Sequence, residues 1–241
     1  MGETLVVHKH ITHDMVQTAR EIIADVIHQT PLLPSQTFSQ ICERPVFLKA
    51  ENLQRTGAFK IRGATNFIAS IAESQGNRGV IAASAGNHAQ GVALASQIRG
   101  VHCTIIMPKG ASTAKVSATR SYGAEVVLYG QNFEDSQAEA ARRAEENHLI
   151  LIPAFDDVHV IAGQGTIGTE ILKDLPDVES VIIPVGGGGL ISGMAVALKE
   201  ARPDITIYGV QAKSCPAVAV SFAEGRNLEI QQNPSIADGI A

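Results

Sequence analysis

The chain has 241 residues, of which 45% are hydrophobic and 18% charged, so it has an ordinary globular composition and is long enough to bury a substantial core. Its formal net charge of −5 at pH 7 argues against a nucleic-acid-binding surface, which normally carries a basic patch. The sequence has no apolar window as long as a membrane span, and its first residues lack the basic and apolar regions of a secretion signal. We therefore expect a soluble protein with neither a nucleic-acid nor a membrane partner.

Cysteine usage points to the compartment. Cys42, Cys103 and Cys215 are odd in number and form no Cys-x-x-Cys pair. They suggest neither a disulfide framework nor a cysteine-based zinc site. A reducing compartment fits this usage, so we expect a cytoplasmic protein.

Helices and strands are predicted to alternate along most of the chain. Thr12 is the predicted N-cap of a first helix that ends at Thr30-Pro31, and Val46–Ala50 is the first predicted strand. From residue 61 to about 155 the alternation predicts a parallel sheet with helices on both faces. In that part the predicted strands are 80–83, 103–107, 125–129 and 149–152, and the predicted helices are 61–75, 90–97, 114–122 and 133–147.

A second alternating set follows a turn at 153–157 that has no strong linker signature. Its predicted helices are 166–175, 190–202 and 217–225, and its predicted strands are 181–185 and 205–210. The pattern by itself leaves open whether the two sets form one domain or two.

Lys60 is the leading candidate for chemistry. It lies between Gly57 and Gly63, at the junction between a predicted strand and a predicted helix. Burial and the positive end of the helix dipole would both disfavour its ammonium form and lower its pKa. A neutral amine can attack a carbonyl carbon and form a Schiff base. The ordinary alternative is a solvated surface lysine.

Two further stretches are predicted to be ligand-binding loops. Ser84–His88 follows the predicted strand 80–83, Gly186–Gly189 follows the strand 181–185, and each opens a predicted helix. Glycines lose much conformational entropy on ordering, so a run of four after a strand suggests backbone N–H groups held close to a ligand. At a helix N-terminus that ligand is usually an anion. Each stretch alone also fits an ordinary turn.

Taken together and in this order, the three stretches resemble the threonine and serine dehydratases among the fold-type II pyridoxal-phosphate enzymes, most closely the threonine dehydratase type. The resemblance extends through nearly the whole chain and includes Met107–Gly110, Ile161–Gly168 and Ala237–Gly239. It implies an α/β fold of two three-layer parallel-sheet domains of the tryptophan synthase β-like type, with the cofactor in the cleft between them.

The resemblance also implies a domain division and an oligomeric state. Residues 1–56 and 157–241 would form the larger, cofactor-binding domain, and residues 57–156 the smaller one. The amino-acid substrate would enter the cleft between them, and the chain would form a homo-oligomer, either a dimer or a tetramer.

By the same resemblance, Lys60 would carry pyridoxal 5'-phosphate and, once the substrate has displaced it, remove the α-proton. L-Threonine, and L-serine as a second substrate, would then lose water and give 2-oxobutanoate or pyruvate together with ammonia. The other implied cofactor contacts are Phe59, Asn87, Gly186, Gly187, Gly188, Gly189, Leu190 and Gly239. The implied substrate loop consists of Ser84, Ala85, Gly86, Asn87 and His88. Phe59 and His88 also fit as core residues.

Three positions depart from the relatives. Ala85 stands where the serine racemase branch has a serine base, and a methyl group cannot take a proton, which favours elimination over racemisation. Ala58 stands where many relatives have serine. The stretch 211–217 has no carboxylate where the racemase-like branch holds a divalent metal, so we expect no metal site.

The sequence ends after Ala237–Ala241, a motif that lies mid-core in the family. We therefore expect a truncated chain with an unpaired sheet edge. Two alternatives stay open at this point: a β-replacement enzyme of the cysteine synthase type, and a non-catalytic fragment that only binds the cofactor.

Overall fold

The computed structural model describes residues 10–75, 78–230, 235–237 and 239. Its helices are α1 (His13–Ile23), α2 (Gln36–Cys42), α3 (Lys60–Gln75), α4 (Asn87–Arg99), α5 (Thr113–Ser121), α6 (Phe133–Glu146), α7 (Val158–Asp174), α8 (Gly189–Ala201) and α9 (Ala217–Glu224). Its strands are β1 (Leu32–Pro34), β2 (Phe47–Lys49), β3 (Val80–Ala83), β4 (Cys103–Met107), β5 (Glu125–Leu128), β6 (Ile150–Leu151), β7 (Ser180–Pro184) and β8 (Thr206–Val210). The alternation from α3 to β6 is as predicted.

The larger sheet has four parallel strands in the order β5-β4-β3-β6. Successive residues of a strand point to opposite faces, and β3 shows this clearly. Val80 and Ala82 pack in the cluster that includes α3 and α4, whereas Ile81 and Ala83 pack against α6. Helices therefore cover both faces of this sheet, as predicted.

The second parallel sheet consists, in the described part of the chain, of β7 and β8. Ile183 is buried against Met194 and Leu198 of α8, in a cluster that also includes α7. On the strand faces turned away from these helices, Ile182 is 71% exposed and Tyr208 is 53% exposed. One face of this small sheet thus contacts helices while apolar side chains of the other meet solvent.

Two predictions near the N-terminus are wrong. Helix α1 begins after its predicted N-cap, Thr12, but ends at Ile23 rather than at Thr30. Beyond it the backbone tightens, since the Val26 N–H donates to the Ile23 carbonyl at 3.0 Å. The sequence pattern also missed β1 and α2, and β2 pairs with β1 in an antiparallel ribbon.

Helix α7 begins well before its predicted start at Thr166. Asp157 caps it, because its Oδ1 accepts from the His159 N–H at 2.7 Å and from the Val160 N–H at 3.2 Å. Glycines disfavour a helix by intrinsic propensity, and α7 contains several. Here they permit close packing: a Cβ added to Gly163 would lie 2.6 Å from the Arg62 carbonyl oxygen.

A buried ion network ties the N-terminal segment to α3 and α7. The Arg62 side chain has no exposed surface and donates to both oxygens of Glu51 and both oxygens of Glu170, at 2.6 to 3.0 Å. The Lys49 amine also contacts Glu170, at 2.6 Å. Because Lys49 and Glu51 precede residue 56 and Glu170 follows residue 157, while Arg62 lies within 57–156, the network joins the two predicted domains, whose division stays a prediction.

Candidate active site

Lys60 is the first residue of α3, at the strand-to-helix junction that the sequence predicts. Its amine donates a hydrogen bond to the Ala154 carbonyl oxygen at 2.8 Å. The nitrogen also lies 5.4 Å from the centre of the Phe59 ring. Burial lowers the pKa of this amine to about 8, so a sizeable fraction is neutral and nucleophilic near neutral pH.

Lys60 and the glycine run face one cavity. Phe59, Leu190 and Gly239, all predicted cofactor contacts, lie in the same wall. The full lining is Phe59, Lys60, Ala154, Phe155, Gln164, Pro184, Gly186, Gly187, Gly188, Gly189, Leu190 and Gly239. Of the predicted cofactor contacts, Asn87 is the one outside this lining. Phe59 also packs against the core between α7 and α8, so its two interpretations are compatible.

The glycine run forms the N-terminus of α8, which has no side-chain cap. Gly188 is the N-cap with φ +90°, a conformation that favours glycine, and no side chain caps the helix. The first intrahelical contact is from the Ser192 N–H to the Gly188 carbonyl at 3.0 Å. The N–H groups of the first turn have no intrahelical acceptor. They are therefore available to an anion in the cavity.

The loop Ser84–His88 lies at the carboxyl end of β3. The Gly86 N–H donates to the Ser84 hydroxyl at 3.1 Å. Gly86 is the N-cap of α4, again without a side-chain cap, and Asn87 is exposed at the first position of the helix. None of residues 84 to 88, all of which the structure describes, belongs to the lining of the Lys60 cavity. Their substrate role stays a prediction.

His88 is buried beside the site. Its Nε2 lies 3.3 Å from the Ile152 carbonyl oxygen, so Nε2 carries the ring proton and donates it. Burial, and secondarily the charge of Lys60, lower the pKa of this imidazole to about 3. The ring is therefore neutral at pH 7 and supports the loop as a hydrogen-bonded core residue.

The segment from Ile152 to Phe155 connects the parts of the site, and sequence reasoning missed it. Ile152 accepts from His88, Ala154 accepts from Lys60, and Phe155 packs against the glycine run. A Cβ on Gly189 would lie 2.8 Å from the Phe155 carbonyl oxygen. The available signal was the place of this segment directly after β6, since the carboxyl ends of parallel strands gather ligand loops.

The donor set fits pyridoxal phosphate. An amine of lowered pKa suits the aldehyde, and an uncapped helix N-terminus built from glycines suits the phosphate. Both face the same cavity.

Two searches of the described residues bear on other ligands and surroundings. Among them, no group of three or more His, Cys, Asp or Glu residues is arranged to hold a metal ion. No described helix combines the length and apolarity needed to cross a lipid bilayer.

The fold and cavity define an α/β scaffold in which a lysine of lowered pKa lies beside an uncapped helix start built from glycines. Residues 23–241 match the family model described as pyridoxal-phosphate dependent enzyme. The chain belongs to this family, and pyridoxal phosphate is its cofactor.

Relatives and solved structures agree with this assignment. The chain is 48% identical to the L-threonine ammonia-lyase of Thermotoga maritima over 231 residues, which are 96% of this chain and 58% of that protein. It is 47% identical to the catabolic L-threonine dehydratase TdcB of Escherichia coli over 236 residues, covering 95% of this chain and 72% of the relative. The chain thus spans roughly three fifths to three quarters of these curated relatives.

Among solved structures, maize serine racemase superposes with a TM-score of 0.92 at 35% identity, covering 95% of this chain and 70% of that one. The processed form of threonine deaminase isoform 2 from Solanum lycopersicum gives a TM-score of 0.89 at 39% identity, covering 96% and 66%. These matches confirm the predicted fold-type II architecture.

Proposed function

We propose that this protein is a lyase that eliminates water from L-threonine, and from L-serine as a second substrate, to give 2-oxobutanoate or pyruvate and ammonia. The observation that carries the proposal is the amine of Lys60, with its lowered pKa, in the same cavity as the open glycine helix. The names of the relatives at 47 to 48% identity support threonine as the substrate.

Lys60 has two duties in this reaction. Its amine would hold the cofactor and, once free, would remove the substrate α-proton. Pyridoxal phosphate, when bound, supplies the electron sink that makes this proton acidic enough. A pKa of about 8 suits a base at neutral pH, because the amine is easily freed of its own proton. The Ala154 carbonyl holds the amine in place at 2.8 Å.

The two open helix N-termini would bind the two anions. Gly186–Leu190 at the start of α8 would bind the cofactor phosphate through backbone N–H groups. Ser84–Asn87 at the start of α4 would bind the substrate carboxylate in the same manner. Asn87 would contact the cofactor ring, and the neutral His88 would hold this loop against β6.

Elimination is favoured over racemisation by Ala85. Racemisation needs a base on each face of the substrate, and the methyl group of Ala85 cannot take a proton. The fold similarity to serine racemase therefore does not carry that activity to this chain. By the same resemblance we propose a homo-oligomer, a dimer or a tetramer, with a cytoplasmic location.

The direct test is to mix the purified chain with pyridoxal phosphate and L-threonine, without added thiol, and to measure 2-oxobutanoate and ammonia in equal amounts. Formation of both products supports the elimination. Turnover that appears only when a thiol and an activated serine are supplied would instead support the β-replacement alternative. A chain that binds the cofactor but forms no product from either mixture would be a non-catalytic fragment.

A further inference from the structure

The motif Ile161–Gly168 lies in the middle of α7, and the proposed reaction assigns it no role. Its Gln164 is 1% exposed and lines the Lys60 cavity. A buried amide is costly unless its polar atoms are used.

Gln164 replaces a backbone acceptor in the first turn of the Lys60 helix. The Phe59 carbonyl accepts from the Arg62 N–H at 3.0 Å, three residues ahead. The next N–H, that of Gly63, donates instead to Oε1 of Gln164 at 3.2 Å. Because a backbone N–H can only donate, this contact fixes which end of the amide is the oxygen.

The fit between the two residues is close. A Cβ added to Gly63 would lie 2.9 Å from Cδ of Gln164 and 2.6 Å from the Val160 carbonyl oxygen, so the position accepts only glycine. Lys60 lies within the turn that this contact holds. Gln164 and Gly63 are therefore in direct contact, and Lys60 lies three residues before Gly63 in the same helix.

We propose that Gln164 is a positioning residue for Lys60: its side-chain oxygen holds the Gly63 N–H and thereby sets the first turn of α3 that carries the amine. The inference rests on Lys60 being the cofactor-bearing residue of the proposed function. Loosening this turn lets the amine leave its buried place against the Ala154 carbonyl. Water then reaches the amine, and its pKa moves back toward the ordinary value for lysine, about 10.4.

The test measures the reactivity of Lys60 without using turnover. The protein free of cofactor is labelled with a trace of acetic anhydride between pH 6 and pH 11, and the modification of Lys60 is quantified by peptide mass spectrometry. Gln164→Leu removes the acceptor at similar volume. Ile171→Ala, in the buried core of the same helix and two turns beyond Gln164, is the matched control for a merely destabilised α7.

We expect the labelling midpoint of Lys60 to rise by about one to two pH units in Gln164→Leu and to stay unchanged in Ile171→Ala. Equal midpoints in the wild type and Gln164→Leu would overturn the proposal, as would an equal shift in both variants. If Gln164→Leu does not fold, Gln164→Met decides, because it also removes the acceptor for the Gly63 N–H. Its midpoint must again rise, and an unchanged midpoint overturns the proposal.

A second readout separates this inference from the proposed function. Borohydride reduction with pyridoxal phosphate reports whether wild-type Lys60 takes up the cofactor. Wild type that takes up no cofactor contradicts the proposed function, whereas the labelling midpoints still decide the role of Gln164. Where the wild type does react, we expect Gln164→Leu to attach the cofactor about tenfold or more slowly at pH 8.

Discussion

Two cations, the partly buried Lys60 and the fully buried Arg62, lie two residues apart on α3 and have different surroundings. Arg62 is fully enclosed, and both of its carboxylate partners are bound through two oxygens each. Burial alone would lower the pKa of Arg62, but its hydrogen bonds to Glu51 and Glu170 outweigh that effect and raise it. Lys60 donates its hydrogen bond to the Ala154 carbonyl, and burial lowers the pKa of its amine to about 8. Arg62 thus forms ion pairs that join three segments of the chain, whereas the lowered pKa of Lys60 favours the neutral form of its amine.

The same division appears at the starts of the helices. Helices α1, α6 and α7 are capped by the side chains of Thr12, Asn132 and Asp157. Helices α4 and α8 begin at glycines without a side-chain cap. A side-chain cap satisfies the first N–H groups and lowers the free energy of the helix, whereas an open start keeps them for a ligand. An open start is not by itself a binding site, since α5 and α9 also begin without a side-chain cap. The proposed anion sites at α4 and α8 share a glycine at the N-cap.

The largest effect should come from removing the reactive cation. We expect Lys60→Ala to lower the rate of 2-oxobutanoate formation by at least about a thousandfold, because the amine acts both as the cofactor attachment point and as the base. Lys173→Ala, an exposed lysine of α7, is the control and should keep the wild-type rate. A Lys60→Ala protein that retains a tenth of the activity would contradict the catalytic role proposed for Lys60.

Removing the paired cation should act on stability. Arg62→Ala removes the partner that Glu51 and Glu170 share and leaves Glu170 paired with Lys49, which costs about 3 to 5 kcal/mol of unfolding free energy. Urea denaturation without cofactor measures this loss. Arg44→Ala is the control, since Arg44 pairs with Glu179 and both side chains are exposed, and it should cost about 1 kcal/mol or less. Equal losses in the two variants would mean that the buried network contributes nothing special.

The pH dependence of folding stability provides a further test of the difference between Lys60 and Arg62. The pKa of Lys60 is about 8 in the folded chain and 10.5 as its ordinary value. Between these values the folded chain has lost the proton that the unfolded chain still holds, so stability rises with pH in this window. Lys60→Met should therefore be more stable than the wild type below about pH 8, and this advantage should shrink toward pH 10.5. A difference that is constant over this range would contradict the buried, unpaired amine.

Two glycines of positive φ test the open helix start. Gly188 and Gly225 have φ values of +90° and +67°, and an added Cβ would meet no atom within 4 Å at either. Alanine should cost about 1 to 2 kcal/mol of backbone strain at each, with the larger cost at Gly188, whose φ lies further from the left-handed helical region. Only Gly188→Ala should also weaken cofactor binding, by about tenfold, because the chain must shift the N–H groups to relieve its strain. The dissociation constant of the cofactor is measured for both variants by titration of its absorbance. Equal constants in Gly188→Ala and Gly225→Ala would contradict the proposed role of this loop in binding the phosphate.

The smallest effect is expected at a helix N-terminus that a side chain caps. Asp157→Ala removes two hydrogen bonds to the first turn of α7 and should cost about 1 kcal/mol of stability. Ser112→Ala, at the start of α5 where the serine side chain makes no cap, should cost close to nothing. Thermal unfolding of the two variants compares them. An Asp157→Ala variant as stable as Ser112→Ala would show that capping adds little here.

Much of the site was accessible from sequence because its residues occur in short motifs. Lys60, Gly186–Leu190 and Gly239 were predicted together and line one cavity. The strands β3 and β4 were predicted at their observed bounds, since their runs are continuously apolar and sit between turn residues.

The misses have physical reasons. The start of α7 was predicted late because several glycines disfavour a helix locally, whereas close packing against Arg62 and Gly193 requires them. The partners of Arg62 are long-range contacts, with Glu170 more than a hundred residues away, and local periodicity carries no information on them. Ala154 contributes a backbone carbonyl, which any residue could supply, so no residue type marks it.

One measurement tests the central claim that Lys60 is kept reactive to carry the cofactor. The purified chain is incubated with pyridoxal phosphate, reduced with borohydride and digested, and the modified peptide is located by mass spectrometry. We predict a single dominant label on Lys60, absent from Lys60→Ala and unchanged in Lys173→Ala. A label spread over surface lysines, or one equally strong in Lys60→Ala, would contradict the account.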